Sequence, residues 1–550
     1  MAIRSSRAFT AVAAALSAGL LLAGCGSTSA GNGGSDTASS DNIITIASGE
    51  PQKGLIPGDT YEAAGGNVID MAFSGLVVFK ADGTAVNEVA DKITPNSDST
   101  KFDITLKSGW KFSDGTPVTS ESFTKAWSYT ANAKNGQLCA SFFSMIKGYD
   151  DLQDTSKLKG DEQLSGLHVI DDTHFTVELN KPYSVFPVIL GYSGYNPLPE
   201  AFYKDPKAFG EKPISDGPYI VKKWEHNSSI EMVKNPDYKG NLTPKNDGLT
   251  FKIYTSNNAS YSDVQSGNLD VSATIPSSAV KTFQKEPKLG SYSEPGSGIA
   301  TFTIPDTLEH FKNDEEGKLR RQAISMAINR KTLCDKIMAG TATPASDFTA
   351  PPVSGYSDSL KNKGTLEYNP TKAKELWAKA DKISKFTGTF TIAYNSDGDY
   401  KATYDAVINQ IKNVLGIDAA TNPMPTSNEF HEAVTSRSIK GAFRAGWQAD
   451  YPSIENYLAP LYASNAADGH GSNDGDYKNP EFDALLDKAA SASSVDAANK
   501  LYQQSEEILL NDLPSIPLYN QNSSAVYAKG VKNAEPTWKG VPTFYELTKK

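Results

Sequence analysis

Phe443-Arg444-Ala445-Gly446-Trp447-Gln448-Ala449-Asp450-Tyr451-Pro452 is the run on which the reading of this chain turns. It places a cation, a glycine, a large aromatic and an anion within seven residues. In an extended segment successive side chains point to opposite faces, so Arg444, Gly446, Gln448 and Asp450 fall on one side and Ala445, Trp447 and Ala449 on the other. A short segment charged at both ends suits a zwitterionic ligand with apolar parts. Taken alone, the run also fits a sheet edge with two solvated charges and a core tryptophan. The surrounding sequence has to decide.

Working outward, Phe390 to Tyr394 reads as a strand and Tyr404 to Leu415 as a helix ended by Gly416. Asn479-Pro480-Glu481 opens a further helix, and Ile508 to Tyr519 leads into a late strand. This alternation is that of an α/β lobe. Upstream, Leu319 to Arg330 is an amphipathic helix with Ala323, Ile324, Ala327 and Ile328 facing a core. Arg320, Arg321 and Arg330 read as its solvated face or as partners for local carboxylates. Nearer the start come a β-prone run at Ile43 to Ile46, a Pro- and Gly-rich loop from Pro51 to Gly66, and a buried helix that turns into a strand over Val68 to Val77. Phe102 to Lys107 alternates as a half-buried strand. Asp114-Gly115 signals a turn, and Thr119 precedes a helix with Phe123 and Trp127 on one face. Gly166 to Leu179 reads as two strands joined by Asp171-Asp172-Thr173.

Several of these blocks resemble one family. Arg444 to Tyr451 is similar to the ligand-contacting Arg-Ala-Gly-Trp-x-Ala-Asp-Tyr run of the bacterial oligopeptide-binding proteins, the extracytoplasmic solute-binding components (family 5) of ABC importers. Phe112-Ser113-Asp114-Gly115-Thr116-Pro117, Asp216-Gly217-Pro218-Tyr219, Ser266-Gly267-Asn268-Leu269-Asp270 and Arg321-Gln322-Ala323-Ile324-Ser325 resemble further blocks of that family, in its order, from about Ile43 to Tyr519. Glu121 and Asn329 stand where the family usually has Asp.

The resemblance implies an α/β, two-lobed periplasmic-binding-protein-like (Venus flytrap) fold with an extra subdomain in the larger lobe. The expected organisation is a lipoprotein signal peptide over 1–25, a flexible tether over 26–41, lobe I over 42–75, 200–300 and 516–550 with the extra subdomain at 76–199, and lobe II over 301–515. By the same resemblance, Asp450 meets a peptide's α-ammonium, and Trp447 walls a pocket or packs beneath the site. Arg444 meets a terminal carboxylate, an acidic ligand side chain or only Asp450. The backbone through Ala445, Gly446 and Gln448 pairs with the ligand as a strand would, and backbone near Gly65 and Gly66 also approaches it. The implied partners are an oligopeptide and a membrane permease with its ATPase subunits, with the protein a monomer and without cofactor, metal or catalytic residues.

Charge and cysteines agree with this assignment. The 550 residues exceed one hydrophobic core. Net charge is −11, from 53 Lys and Arg against 64 Asp and Glu, or −13 without Arg4 and Arg7. An acidic chain without basic runs is a poor partner for nucleic acid. Arg4 and Arg7 precede an apolar run of about fifteen residues, Ala8 to Leu22, short of the roughly twenty that span a bilayer. This fits a secretory signal. Leu22-Ala23-Gly24-Cys25 resembles a lipobox, which makes Cys25 the lipidation site and places the protein on the extracytoplasmic face of the cell membrane. Gly26 to Asp41 is a Gly, Ser, Thr, Ala, Asn and Asp tract with the composition of a flexible tether. Only Cys139 and Cys334 remain, read as two buried thiols.

Enzyme motifs fail on inspection. His431-Glu432 is not followed by His at 435, where Thr stands; Gly191 to Tyr195 lacks the last glycine of a nucleophile elbow; Asn395 to Asp399 places its glycine too early for a calcium loop. A sugar or nickel-complex binder of the same fold, or a surface receptor or chaperone without transport, remain the alternatives.

Overall fold

The computed structural model describes residues 42–60, 62–396, 398 and 400–549. The signal segment, Cys25 and the tether lie outside the described residues. Among the described residues no helix is long and apolar enough to cross a membrane.

The scaffold is one mixed sheet. Its order is Ala419–Met424, Phe390–Asn395, Ala442–Gln448, Leu289–Thr303, Ser515–Ala528, Val271–Ser272, Ile43–Ser48, Gly248–Ile253, Ser229–Lys234 and Tyr219–Glu225, with Ala342–Pro344 beside Ser515–Ala528. Leu289–Thr303 and Ser515–Ala528 pair antiparallel along nearly their whole length. At one end of this pair Gly298 to Thr303 carry Ala442–Gln448, and at the other Tyr527 and Val526 carry Val271–Ser272. The two long strands therefore tie two halves of the molecule together. Their register shifts between Pro295 and Gly298, in the stretch between those two attachments, and again between Ala300 and Thr301, within the first of them.

Each half buries its own apolar cluster. One gathers Ile44, Phe73, Trp127, Tyr219, Phe251 and Phe544; the other gathers Phe302, Ile324, Phe390, Tyr457, Leu509 and Leu518. The first extends into a smaller four-stranded sheet, Ala90–Pro95, Lys101–Leu106, His174–Glu178 and Leu167–Asp171. Helix Ser120–Ala131 covers it, because Phe123 and Trp127, four apart on one face, both reach Phe175 with ring centroids 6.2 and 5.9 Å away. Thr119 and Ser122 close a capping box at the start of this helix. Just before it, Gly115 turns the chain at φ 86° while Asp114 accepts from the Thr116 N–H and hydroxyl. The Phe112–Pro117 block thus has a structural role.

Three expectations change. The helix read over Leu319 to Arg330 spans Glu315–Met326, leaving Arg330 beyond its end, and the three arginines of that run are not solvated. Arg320, Arg321 and Arg330 are 0%, 2% and 4% exposed. Arg320 meets Glu316 and Asp381 at 2.9 and 3.0 Å, as a carboxylate partner. Arg321 and Arg330 instead donate to main-chain carbonyls, those of Asp512 (2.6 Å) and Pro517 (2.7 Å) among them. The loop read from Pro51 to Gly66 ends earlier, at a helix over Ala63–Ala72 capped by Glu62. Last, Ala442–Gln448 lies inside the main sheet, not at its edge. Cys139 and Cys334 are both free and buried, and burial pushes each thiol up to about 11.

Candidate functional site

Ala442–Gln448 is held unequally on its two sides. It pairs antiparallel with Gly298 to Thr303 from Phe443 to Gln448. On the other side it pairs with Phe390–Asn395 only at Ala442 and Phe443. From Arg444 onward that edge has no strand partner among the described residues, and Gly446 and Gln448 are exposed there. Glycine at 446 answers a close approach: a Cβ would sit 2.7 Å from the Ile299 carbonyl oxygen of the neighbouring strand. Gln448 donates its amide to Ser297 Oγ at 2.8 Å. Ala445 and Trp447 are half-buried, and Trp447 packs against the second cluster.

Beyond Gln448 the chain turns, Tyr451 anchors in the first cluster, and Asp450 is left half-buried. Its N–H donates to Asn456 Oδ1 at 2.9 Å, and its carboxylate accepts from Asn456 Nδ2 at 3.3 Å. No Lys, Arg or His among the described residues lies within ion-pair distance of it. Burial pushes its carboxyl above the ordinary aspartate range, opposed by the Asn456 hydrogen bond. Asp450 opens on two cavities. One, of about 680 Å³, is walled by Phe142, Met145 and Lys181 from one half and Trp447 and Glu455 from the other. A narrower one, of about 100 Å³, has Asp70, Phe79, Trp538 and Lys539 in its walls.

Arg444 does not reach Asp450, which removes one of its three possible roles. Its guanidinium carbon lies 4.2 Å from the Tyr400 ring centre and 4.6 Å from that of Phe430, and Nε donates to Asn395 Oδ1. Cation–π contact with two rings holds the group in place, and Arg444 borders a third cavity of about 230 Å³ together with Thr301, Asn473 and Tyr477. Trp447 stands between this cavity and the largest one, lining both.

Gly65 and Gly66 are buried in the first turn of Ala63–Ala72, with their N–H groups donating to Glu62. They are not among the residues around Asp450's two cavities; Asp70, one turn further along the same helix, is. Sequence reasoning also missed Asn456, Glu455, Tyr183 and Trp538. Tyr183 OH bonds Tyr451 OH (2.8 Å) and Glu455 (3.1 Å), a junction between residues 268 and 272 positions apart. No local pattern announces such contacts. For Asn456 the one available signal was its nearness in sequence to Asp450, on the helix that follows.

The model for bacterial extracellular solute-binding proteins, family 5 Middle, matches residues 84–469. The chain is similar to the oligopeptide-binding protein OppA of Bacillus subtilis (strain 168), at 25% identity over 532 residues, 93% of this chain and 94% of that one. It is also similar to the dipeptide-binding protein DppE of the same organism, at 26% identity over 470 residues and 83% of each chain. Among solved structures, the unliganded open form of the periplasmic murein tripeptide binding protein MppA superposes with a TM-score of 0.81 at 22% identity, over 92% of this chain and 97% of that one. That likeness establishes the two-lobed fold.

Proposed function

The chain belongs to the bacterial extracellular solute-binding proteins of family 5, and from this premise we propose that its solute is an oligopeptide, held between the lobes with its α-ammonium on Asp450. The observation that carries this reading is a half-buried carboxylate without a cation among the described residues, placed just past a strand whose edge from Arg444 onward has no partner among them. An ammonium ion neutralises the first, and an extended backbone completes the second by strand addition. The relatives named for oligopeptides and dipeptides support the same class. A neutral sugar would leave Asp450 charged and unpaired in a closing cleft, which costs several kcal/mol.

In this reading Trp447 walls the ligand's side-chain space, and the backbone of Ala445, Gly446 and Gln448 pairs with the peptide. Arg444 offers its guanidinium to a terminal carboxylate or an acidic side chain. Lobe I comprises 42–75, 200–300 and 516–550 with the subdomain 76–199, and lobe II comprises 301–515. The protein binds and delivers without catalysis, as a monomer tethered through a lipid on Cys25 at the extracytoplasmic face, to an ABC permease driven by its ATPases.

Asp450→Asn is the direct test. It should weaken binding of free-amine peptides roughly 30-fold or more, the equivalent of about 2 kcal/mol for breaking a desolvated charge pair. N-acetylated copies should lose little. Equal loss for both in titration calorimetry would assign Asp450 a structural role only.

A further inference from the structure

Asn456 joins three parts of the site through one carboxamide. It lies in the first turn of helix Glu455–Tyr462 and is 3% exposed. Its Oδ1 accepts from Trp447 Nε1 at 3.0 Å and from the Asp450 N–H at 2.9 Å, while Nδ2 donates to Asp450 Oδ2 at 3.3 Å. The orientation of the amide follows from its partners. Turned over, its NH2 would face two N–H donors and its oxygen would face a carboxylate. No other described side chain donates to the Asp450 carboxylate.

Resting on the reading of Asp450 as the ammonium site, we propose that Asn456 is its positioning residue: one buried amide aims the Asp450 carboxylate and the Trp447 ring as a single unit at the amino end of the ligand. The chemistry suits the task. A carboxylate that must pair with a visiting cation cannot have a resident one, because an ion pair already made would have to be broken on binding. A neutral donor orients the carboxylate and favours its charged form without competing for the ligand. Burial pushes Asp450 toward the neutral acid, and the Asn456 bond opposes that. The other titratable groups around Asp450 among the described residues are Asp70, Lys80, Tyr192, Lys539 and Tyr545 in the narrow cavity, and Lys181, Tyr183, Tyr451 and Glu455 in the wide one. Glu455 is occupied by the Tyr183 and Tyr451 hydroxyls, and burial raises its carboxyl.

The test uses the full chain and alanine oligopeptides from tri- to hexa-alanine, each with and without an N-acetyl group, titrated calorimetrically between acid and neutral pH. The wild-type protein should prefer the free-amine peptide and lose that preference as pH falls through the titration of Asp450. Asn456→Ala should cut the preference about tenfold at neutral pH and move its acid midpoint upward. Asn456→Asp is nearly isosteric and keeps both acceptor contacts, so the local fold survives, but it sets a second carboxylate against the first. It should raise the midpoint further. In an Asp450→Asn background, Asn456→Ala should leave the preference unchanged. Variants that fold and keep the wild-type ratio and midpoint would overturn the role of Asn456 while leaving Asp450 as the ammonium site. A wild-type protein that binds both peptide forms alike would remove the ammonium site itself, and the role of Asn456 with it.

Discussion

Glu506 and Asp347 are 0% and 1% exposed, and both lie in the half of the molecule built on Ala442–Gln448. Asp347 accepts from the Phe348 N–H at 2.6 Å and the Thr349 hydroxyl at 3.1 Å, whereas among the described residues neither oxygen of Glu506 has a hydrogen-bond partner. Burial drives the Glu506 carboxyl well above its ordinary value, and the charge of Asp347 adds to that. Burial therefore favours the protonated form of Glu506, beside an Asp347 whose carboxyl burial raises as well. A carboxyl whose folded pKa is raised contributes most below its unfolded value, 4.5 for Glu506, and that contribution is lost as pH rises through the folded value. Glu506→Gln supplies a permanent donor and removes the titration. We expect the thermal midpoints of variant and wild type to lie close at pH 5 and to separate in favour of the variant at pH 9. Parallel curves across the range would mean that the pair is not charged by alkali. Nothing in the sequence near Glu506 or Asp347 reveals this pair, since 159 positions separate the two and only the fold brings them together.

Elements were legible to the extent that their signals were local. The 2-residue alternation of Phe102 to Lys107, the four-residue step from Phe123 to Trp127 and the Asn-Pro opening at 479–480 each name an element that the structure contains. What a helix presents to its neighbours was legible only for its apolar face. In Glu315–Met326, Ala323 and Ile324 face the core as their spacing requires, yet Arg321 is buried too. Its partners arrive from elsewhere: the Phe311 and Lys312 carbonyls ahead of the helix, and Asp512 O at the end of Val495–Asp512. A charge on an amphipathic helix reads as solvated until another element's unsatisfied carbonyls are brought to it. Lysine has one nitrogen and cannot reach carbonyls on both sides, so Arg321→Lys should leave at least one buried acceptor unmet. We expect a loss of about 1–3 kcal/mol, read as a lower urea midpoint at unchanged slope. An unchanged midpoint would show that water can replace the guanidinium.

At the scale of the molecule, the crossing pair Leu289–Thr303 and Ser515–Ala528 decides whether the lobes can move. Where the register shifts after Pro295, Gly296 and Ser297 have no partner in the ladder. A bulge of this kind interrupts the ladder and lets a strand bend. Ser297 is fixed to the binding half: its Oγ accepts from Gln448, and its carbonyl accepts from the Tyr457 hydroxyl. Gly296 is confined by the other strand, since a Cβ would meet Ser523 Oγ at 2.7 Å and the Gln521 carbonyl oxygen at 2.8 Å. The bend thus has one residue clamped to the strand that leads to Asp450 and one that tolerates no side chain. Closure about such a point needs only a few dihedrals to change. Gly296→Ala should force the crossing strands apart there and hold the lobes at a fixed angle. Small-angle scattering checks this: the radius of gyration of the wild type should fall when peptide is added, and that of Gly296→Ala should change less, with weaker binding. The same compaction in both proteins would place the hinge elsewhere, and the second register shift at Ala300 would be the next position to test.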